Sequence, residues 1–589
     1  MPEAPPTYTF PGMRNILYAA PYSIPPRSRY AVSVRTSFHL IFVMATSFIF
    51  SARAEYKFIS TSPKKIRGDF LNRVKKFFMN ALIMGTSAVF MRTVSVCWSA
   101  YVANRIGAEC SGLFSLIMSV YAFAVTFACS GINLAVMRLV SQEIGLGNDG
   151  NAVIIMKKCV GYCLFFGIGA GLLLFSFSGA IANNILCDAR TELSLRALSA
   201  SLPFIALSNV FSGYFSAVRR VCKNAASGIA EQFVKIGITV VFLIIIAPRG
   251  MEYACLALVL GSCIAEALSF FYMLALYIFD KKKHLSGKNA SDENKNFLPQ
   301  IAGIALPIAL SSYLRSGLVT AEHILIPIGL KKSGADTAAA LASYGTIHGM
   351  VLPLILFPSA VCITFASLII PELSELDAKY KTVYGNTHIC YIVKRAVKFA
   401  SVFAIGTAGI FICFAEPLGN LIYPGTQAAK YIGIFAAAIP IMYTDTAVDG
   451  MLKGLGQQLS SMRYNIIDAA VSVALVYTLL PKFGIYGYVI CVFVCEILNF
   501  SLSIGRLITV TGAEISLPAI TAAPVCCIAG AASFSLILCR LFGFALDTAP
   551  KCAAAIIATI ILYLLLMAGV SAVSREEISW FRSIFRKEN

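Results

Sequence analysis

The sequence predicts an all-α polytopic membrane protein with about fourteen transmembrane helices. Of its 589 residues, 58% are hydrophobic and only 13% are charged, and the mean hydropathy is +0.77. A soluble domain is about half apolar and about a quarter charged. Apolar runs of about 20 residues, the length a helix needs to cross the hydrocarbon core, recur along most of the chain. The protein is therefore expected to lie mostly within a bilayer.

Each apolar run is taken as one span. The spans lie at 79–104, 112–137, 153–177, 197–218, 226–247, 253–279, 300–328, 341–370, 396–415, 429–450, 464–481, 484–505, 518–542 and 552–573. They divide the chain into two lobes of six spans, a connecting linker, two further spans and two terminal segments. The segments are the N-terminal extension with its basic cytoplasmic part (1–78), the first lobe (79–280), the basic cytoplasmic linker (281–296), the second lobe (297–510), the last two spans (511–574) and the basic cytoplasmic tail (575–589).

The N-terminal extension differs from the rest of the chain. It is rich in Pro, Ser and Arg, and its only apolar run, HLIFVMATSFIF, is too short to span a bilayer comfortably. No small-residue cleavage site follows in the place that a signal peptide requires. The extension is therefore expected to be disordered, or to result from a start codon assigned too early.

We interpret the net charge of +19 as a consequence of the orientation of the chain in the membrane. With the N-terminus inside, the even-numbered turns and the tails hold about three times as many Lys and Arg as the odd-numbered loops, the asymmetry that sets topology. The sequence thus predicts a multi-pass protein of the cell membrane with both termini in the cytoplasm, and no nucleic-acid partner.

The chain lacks the sequence patterns of an enzyme or a metal protein. Most of its 18 cysteines lie inside apolar runs and no CxxC pair occurs, so we expect them to pack as small hydrophobic residues. No GxxxxGK[ST] loop is present, which argues against ATP hydrolysis. The sequence predicts no catalytic residues, no metal and no cofactor other than a coupling ion, Na⁺ or H⁺.

The two lobes resemble each other in sequence. The segments 198–236 and 434–472 resemble each other at a constant offset of 237, and 85–112 similarly resembles 308–334 at the start of the second lobe, which places Arg92 opposite Arg315. Matching spans are six helices apart, so the repeats are parallel, related by an axis along the membrane normal. Two such bundles leave a cleft between them and favour alternating access. The aligned pairs in the longer segments are Pro203 with Pro440, Gly213 with Gly450, and Glu231 with Asp468.

Arg92 and Arg315 lie near the middle of their spans, where each charge costs about 2.5–3.5 kcal/mol to insert. They therefore need a water-filled cavity or a partner. At 100° per residue, Ser311 and Glu322 share a helix face with Arg315. The guanidinium group is a planar multi-donor that suits phosphate oxygens. The equivalent stripe on the first span consists of Arg92, Ser95 and Ser99.

These two stripes predict the polar lining of a central cleft, with Arg92, Arg315, Ser95, Ser99 and Ser311 as substrate-binding residues. An alternative interpretation is that a nearby acid, Glu322 or Glu266, neutralises each arginine and holds the bundle together. The sequence leaves both interpretations open.

Four acids within the second lobe are predicted to take part in cation coupling, because buried carboxylates at membrane depth commonly bind a proton or Na⁺. Glu322 and Asp468 are preferred, since they lie deepest in that lobe. Asp445 and Asp449 are one turn apart on the tenth span. The nearby His323 is expected to pack or to form a hydrogen bond.

Three stretches carry a family pattern: SGINLAVMRLVSQE (130–143), SGYFSAVRRVCKNAASGIAEQFVKI (212–236) and DGMLKGLGQ (449–457). They resemble the polysaccharide-exporter family that contains stage V sporulation protein B. The resemblance covers about 79–574 and extends to the superfamily of MurJ-type lipid II flippases and multidrug and toxin extrusion proteins. It implies a flippase for undecaprenyl-pyrophosphate-linked saccharides, such as lipid II or another cell-envelope or spore-cortex precursor.

The resemblance also implies roles for particular residues. Arg92 and Arg315 take the positions of arginines that line a cationic cavity in the MurJ-type relatives. Glu322 and Asp468 take those of groups that carry a coupling cation, and the last two helices would form a groove for the lipid tail. The chain has Ser212 where the family pattern has an arginine, which leaves the identity of the saccharide open.

Three other functions compete with the flippase. A cation-coupled multidrug exporter of the same superfamily would need an acidic cavity and about twelve spans. A membrane-embedded glycosyltransferase or polymerase would need a large external loop or a pair of surface acids, and the loop between spans three and four shows neither. A structural partner in a sporulation complex stays open, as do contacts with cell-envelope synthesis proteins.

Overall fold

The computed structural model describes residues 64–146, 148–284, 297–379, 383–541, 546 and 548–569, and these residues are helical with short turns and no strand. The predicted extension, linker and tail lie largely outside the described residues.

Nineteen α-helices follow one another in the described part of the chain. Two π-helical segments, Ile181–Ile185 and Thr346–Val351, extend or interrupt them. The helices are α1 (Lys64–Cys129), α2 (Ile132–Gly145), α3 (Asp149–Ala180), α4 (Glu192–Ser199), α5 (Leu202–Ala217), α6 (Val221–Ile245), α7 (Met251–His284), α8 (Leu298–Lys332), α9 (Thr337–Gly345), α10 (Leu352–Leu356), α11 (Ser359–Lys379), α12 (Val383–Cys413), α13 (Ala415–Ile422), α14 (Ala428–Ala436), α15 (Ile439–Gly454), α16 (Gln458–Phe483), α17 (Ile485–Thr511), α18 (Leu517–Leu541) and α19 (Ala549–Gly569).

Eleven helices among the described residues are long and apolar enough to cross a membrane, or up to 13 if each of two bent helix pairs forms one span. The stretch Val89–Gly145 counts once, although its 57 residues contain parts of two predicted spans. It turns at Gly107, whose φ of 79° lies in the left-handed region that favours glycine. The all-α multi-pass architecture is therefore confirmed, and the total of about fourteen spans stays a prediction.

The sequence repeat coincides with a structural repeat. The offset that pairs Pro203 with Pro440 also pairs the first residues of α5 and α15 and those of α6 and α16. Helix α5 is bent by 46° against the segment before it, and α15 by 55°. Both prolines lie in the first turn of the helix that follows the bend, where no intrahelical N–H bond is lost. The two halves of the chain, α1–α7 and α8–α17, therefore share this broken span.

Glycine spacing repeats in the same way. A Cβ atom on Gly213 would lie 2.8 Å from the backbone oxygen of Asn133 in α2. A Cβ atom on Gly450 would lie 2.5 Å from the Cβ of Ala366 in α11. Only glycine permits these contacts, so the aligned glycines bring α5 and α15 against equivalent neighbours in the two halves.

The second part of α1 packs antiparallel to α8 and joins the two halves. Thr320 Oγ1 donates a hydrogen bond to the Ser119 backbone oxygen at 3.1 Å. Further along, the hydroxyl groups of Ser130 and Tyr313 bond to each other. Hydroxyl bonds of this kind satisfy polar groups between membrane helices, so these bonds join the two halves at this contact.

The last two helices pack against the second half through α12. Tyr563 of α19 donates a hydrogen bond to the Val402 backbone oxygen at 2.8 Å. Its ring also covers Gly406, where a Cβ atom would lie 2.7 Å from the tyrosine Cε1. Helices α18 and α19 therefore form an addition to one side of the paired halves.

Candidate functional site

Arg92 of α1 faces the second half of the protein. It is half-buried and interacts electrostatically with Tyr443 of α15, whose hydroxyl donates to the Ile355 backbone oxygen. Within the described residues, Arg92 makes no hydrogen bond and no ion pair. Its guanidinium donors are therefore available to a ligand.

Arg315 of α8 is exposed and lies within electrostatic range of Asp468 of α16. In the described part of the chain it makes no ion pair or hydrogen bond, with Asp468 or with any other residue. Leu310 and Leu314, on the adjoining face, are 70% and 55% exposed. Arg315 therefore lies at the border between an apolar outer face and the polar face toward α16.

The two acids considered as neutralising partners are engaged elsewhere. Glu266 accepts a hydrogen bond from the Tyr121 hydroxyl at 2.6 Å within the first half. Glu322 lies beside Ser472 of α16 and interacts electrostatically with Asp468. Neither acid forms a salt bridge with Arg92 or Arg315 among the described residues. The interpretation that Glu322 or Glu266 neutralises an arginine therefore has no ion pair behind it in the described part of the chain.

The three serines of the predicted lining have different environments. Ser99 Oγ donates to the Gly349 backbone oxygen at 2.8 Å and so links α1 to the π-helical segment of the second half. Ser311 Oγ donates to Pro307 within its own helix at 3.2 Å. Ser95 is half-buried, and its hydroxyl forms no hydrogen bond within the described residues. Of the three, Ser95 is the one with an unused hydroxyl beside Arg92.

The acids of the second half form a group across α15, α16 and α17. Asp445 Oδ2 accepts a hydrogen bond from Asn499 Nδ2 at 3.0 Å. Asp445, Asp468 and Glu496 interact electrostatically with one another. One oxygen each of Asp445, Asp468 and Asn499 is buried without a hydrogen-bond partner among the described residues. Buried oxygens are normally satisfied, and oxygen ligands are those that hard cations prefer.

The four predicted coupling acids are not equivalent in the structure. Glu322, on α8, belongs to the same acid group because it interacts electrostatically with Asp468. Asp449 is instead paired with Lys453 Nζ at 2.6 Å and accepts a hydrogen bond from Ser461. Because a lysine one turn away already neutralises it, Asp449 is the least suited of the four to hold a further cation.

Sequence reasoning missed several polar groups near these residues. Asn499 lies one turn after Glu496 on α17, and that i, i+3 spacing inside an apolar run could have placed it on the acidic face. Tyr443, beside Arg92, carries no comparable signal, because tyrosine is common in membrane helices. His348, Tyr344 and Tyr488 join His323 in a buried cluster that no local motif marks.

Comparisons with known proteins agree with this architecture. Residues 77–326 match the family model described as "Polysaccharide biosynthesis protein". Stage V sporulation protein B of Bacillus subtilis (strain 168) is 26% identical over 422 residues, which cover 70% of this chain and 79% of that protein. The resemblance read from the motifs is thus supported at the level of sequence.

Two solved structures share the fold. Lipid II flippase MurJ, in an inward closed conformation, superimposes with a TM-score of 0.63 at 14% identity, covering 84% of this chain and 100% of that chain. An inward-facing multidrug resistance MATE family transporter of the MOP superfamily gives 0.57 at 14% identity, covering 73% and 99%. The family resemblance is therefore confirmed: this chain is similar in sequence to stage V sporulation protein B, its residues 77–326 match the polysaccharide biosynthesis protein model, and its fold resembles that of MurJ and of the MATE transporter.

Proposed function

We propose that this protein is a flippase that moves an undecaprenyl-pyrophosphate-linked saccharide, lipid II or another cell-envelope or spore-cortex precursor, across the cytoplasmic membrane. The observation that carries the proposal is the pair of mid-span arginines, Arg92 and Arg315. They occupy corresponding positions in the two halves, and within the described residues neither forms an ion pair. The MurJ-like fold and the related sporulation protein support the same class of function.

The chemistry of the headgroup fits these arginines. An uncompensated arginine at mid-span costs about 2.5–3.5 kcal/mol. An anionic substrate that pairs with the two arginines during transport would offset part of this cost. A diphosphate offers several oxygens with the geometry that the guanidinium fork recognises. The saccharide would remain in the solvated space between the halves while the polyprenyl chain stays in lipid along α18 and α19.

The acid group of the second half would provide the coupling. Asp445 and Asp468 each have a buried oxygen without a partner among the described residues, and Glu322 adds a third carboxylate. Within the described residues these carboxylates do not converge on one metal-binding position. A cation, Na⁺ or H⁺, that reaches the group would nevertheless lower the cost of keeping several carboxylates within electrostatic range of one another in a nonpolar surrounding. Asp449 would contribute less, because Lys453 already neutralises it. With both termini in the cytoplasm, ion entry from outside could then drive the halves between two states.

The acid group also favours a second candidate function, a cation-coupled multidrug exporter with the same fold. Such a protein would bind cationic drugs at acids facing the central cleft. The two arginines without ion pairs argue against this, because they would repel a cation. Measurement of drug resistance alongside lipid accessibility separates the two functions.

The proposed function is tested in cells depleted of this protein. We expect a labelled lipid II, or one other lipid-linked glycan, to become less accessible to an external probe while it accumulates on the inner leaflet. Unchanged accessibility of every lipid-linked glycan, together with increased sensitivity to cationic drugs, would favour the exporter instead.

Neutralising the acid group should change how transport depends on ions. Glu322→Gln and Asp468→Asn each remove one carboxylate from the proposed cation site, so we expect the flipping rate to lose its dependence on Na⁺ or on the membrane potential. The measurement is the flipping rate in liposomes with imposed ion gradients. Glu252→Gln, in the first turn of α7, is the control and should retain the wild-type dependence. An unchanged ion dependence in both acid variants would place the coupling site elsewhere.

A further inference from the structure

Two cysteines that are far apart in the sequence meet inside the first half. Cys110 lies in α1, shortly after the turn at Gly107, and Cys255 lies in the second turn of α7. Their sulfur atoms are 3.5 Å apart. In the described part of the chain, no other two cysteine sulfurs on different helices are within hydrogen-bonding distance of each other. The pair therefore differs from the cysteines that only pack as small apolar residues.

The backbones that carry these thiols are also close together. Cys255 Sγ is 3.9 Å from the Cys110 backbone oxygen, and Cys110 Sγ is 3.8 Å from the Met251 backbone oxygen. Each sulfur thus reaches the main chain of the opposite helix. Rotation of the two side chains, with the helices kept in contact, would bring the sulfurs to bonding distance.

The pair lies near the aqueous edge of the first half, where the connections after the first, third and fifth spans meet. Arg190, in the connection after the third span, pairs with Glu109 of α1 at 3.3 Å. Its Nη1 also donates to Met251 Sδ, at the start of α7, at 3.1 Å. Charged side chains are costly in the hydrocarbon core, so this contact marks the membrane surface. The predicted orientation, with both termini in the cytoplasm, places this surface outside the cell.

The outer side of a cell membrane is the side on which disulfides form and persist, whereas cytosolic thiols are kept reduced. Cys110 is 1% exposed and Cys255 is 0% exposed in the folded protein. An oxidant must therefore reach them before α7 has packed against α1, while the outer end of the first half is still folding. Once formed, a buried disulfide of this kind is protected from reduction.

We propose that Cys110 and Cys255 form a disulfide at the outer end of the first half, by exchange with the disulfide of an exported thiol–disulfide oxidoreductase. One cysteine thiolate attacks the oxidoreductase disulfide, which gives a mixed disulfide and one free thiol on the oxidoreductase. The second cysteine thiolate attacks the mixed disulfide, forms the new sulfur–sulfur bond and releases the other thiol. The cysteine pair loses two electrons and two protons, and the oxidoreductase gains both.

The bond would tie α1 to α7 next to the Arg190 contacts, so that the outer end of the first half becomes one rigid unit. It closes the chain between residues 110 and 255, and closure of a long segment restricts the unfolded chain strongly. The inference concerns a covalent modification, and it holds whatever substrate the protein carries.

Differential alkylation of the full chain in intact cells tests this inference. Cells are quenched in acid, and their membranes are denatured in detergent with N-ethylmaleimide, which labels every free thiol. Reduction and a second label, iodoacetamide, then mark the cysteines that were in disulfides, and peptide mass spectrometry locates both labels. We expect the second label on most copies of Cys110 and Cys255, and a linked peptide in the digest prepared without reduction.

Three variants serve as comparisons. In Cys110→Ser, Cys255 loses its partner and should carry the first label, and the reverse should hold for Cys255→Ser. Cys163→Ala removes a buried cysteine of α3 that lies in electrostatic range of Cys129, and it should leave the linked peptide unchanged. Wild-type protein in nanodiscs should melt about 5 °C lower after reduction, and Cys110→Ser should melt at the same temperature with and without reductant.

The first label on both Cys110 and Cys255 in wild-type cells would overturn the inference. A Cys255 that still carries the second label in Cys110→Ser would also overturn it, because the sulfur would then be bonded to another partner. Equal melting temperatures of oxidised and reduced wild-type protein would contradict the stabilising role of the bond. A linked peptide in a protein that flips no lipid would refute the proposed function alone, and free thiols in a protein that flips lipid would refute the disulfide alone.

Discussion

Arg92→Ala and Arg315→Ala are each expected to abolish complementation of a flippase-depleted strain while leaving the amount of protein in the membrane near normal. Removal of a mid-span guanidinium eliminates an insertion cost of about 2.5–3.5 kcal/mol, so membrane insertion should not suffer. What is lost is the group proposed to bind the diphosphate. Growth after depletion of the native flippase and immunoblots of the membrane fraction measure the two effects separately.

The controls distinguish charge from geometry. Lysine at either position retains the charge but not the bidentate fork, so Arg92→Lys and Arg315→Lys should show partial growth. Arg249→Ala, in the short turn before α7, removes a positive charge that lies outside the proposed cleft and should grow normally. Normal growth of both alanine variants would exclude a role for these arginines in binding the substrate.

Gly345→Ala is expected to slow flipping by about tenfold or more, because overpacking of a close contact costs about 1–3 kcal/mol. A Cβ atom at this position would lie 2.1 Å from the Ala108 backbone oxygen and 2.4 Å from the Gly112 backbone nitrogen. Backbone atoms cannot rotate away, so α1 and α9 must separate. A transporter that works by opening and closing the contact between α1 and α9 would then be unable to close it fully.

Gly303→Ala in α8 is the matched control, since a Cβ atom there meets nothing within 4 Å. Alanine favours a helix by about 0.5–1 kcal/mol over glycine, so a loss at Gly345 cannot come from helix propensity. Flipping rates of both variants in liposomes check the prediction. A Gly345→Ala protein that flips at the wild-type rate would show that transport does not require close packing of α1 against α9.

The features that were predictable from sequence are those carried by local periodicity. Apolar runs of span length predicted the membrane helices, and a constant offset between Pro203 and Pro440 predicted a repeat that reappears as two bent helix pairs. Proline marks such bends directly, because it fits the first turn of a helix and disrupts its interior. The boundary between the first two apolar runs indicated a break near Gly107. Whether the chain reverses direction there depends on the backbone conformation of Gly107, which the run boundary does not specify.

The partners of the polar residues could not be predicted in this way. Helical spacing places Arg92, Ser95 and Ser99 on one face but does not fix what that face meets. Ser99 bonds to Gly349, far away in the sequence, and Ser95 bonds to nothing described. Such pairings depend on the rotation and depth of packed helices, which are set by tertiary contacts. For the same reason, sequence alone could not decide whether an acid neutralises the arginines.

The most direct test of the flippase is its reconstitution into liposomes that contain a fluorescent undecaprenyl-pyrophosphate-linked saccharide. Wild-type protein should make inner-leaflet lipid accessible to a membrane-impermeant quencher, and the Arg92→Ala and Arg315→Ala proteins should not. Wild-type liposomes in which accessibility increases no faster than in protein-free liposomes, or alanine variants that match the wild type, would contradict the proposal that two arginines hold a diphosphate headgroup during its passage.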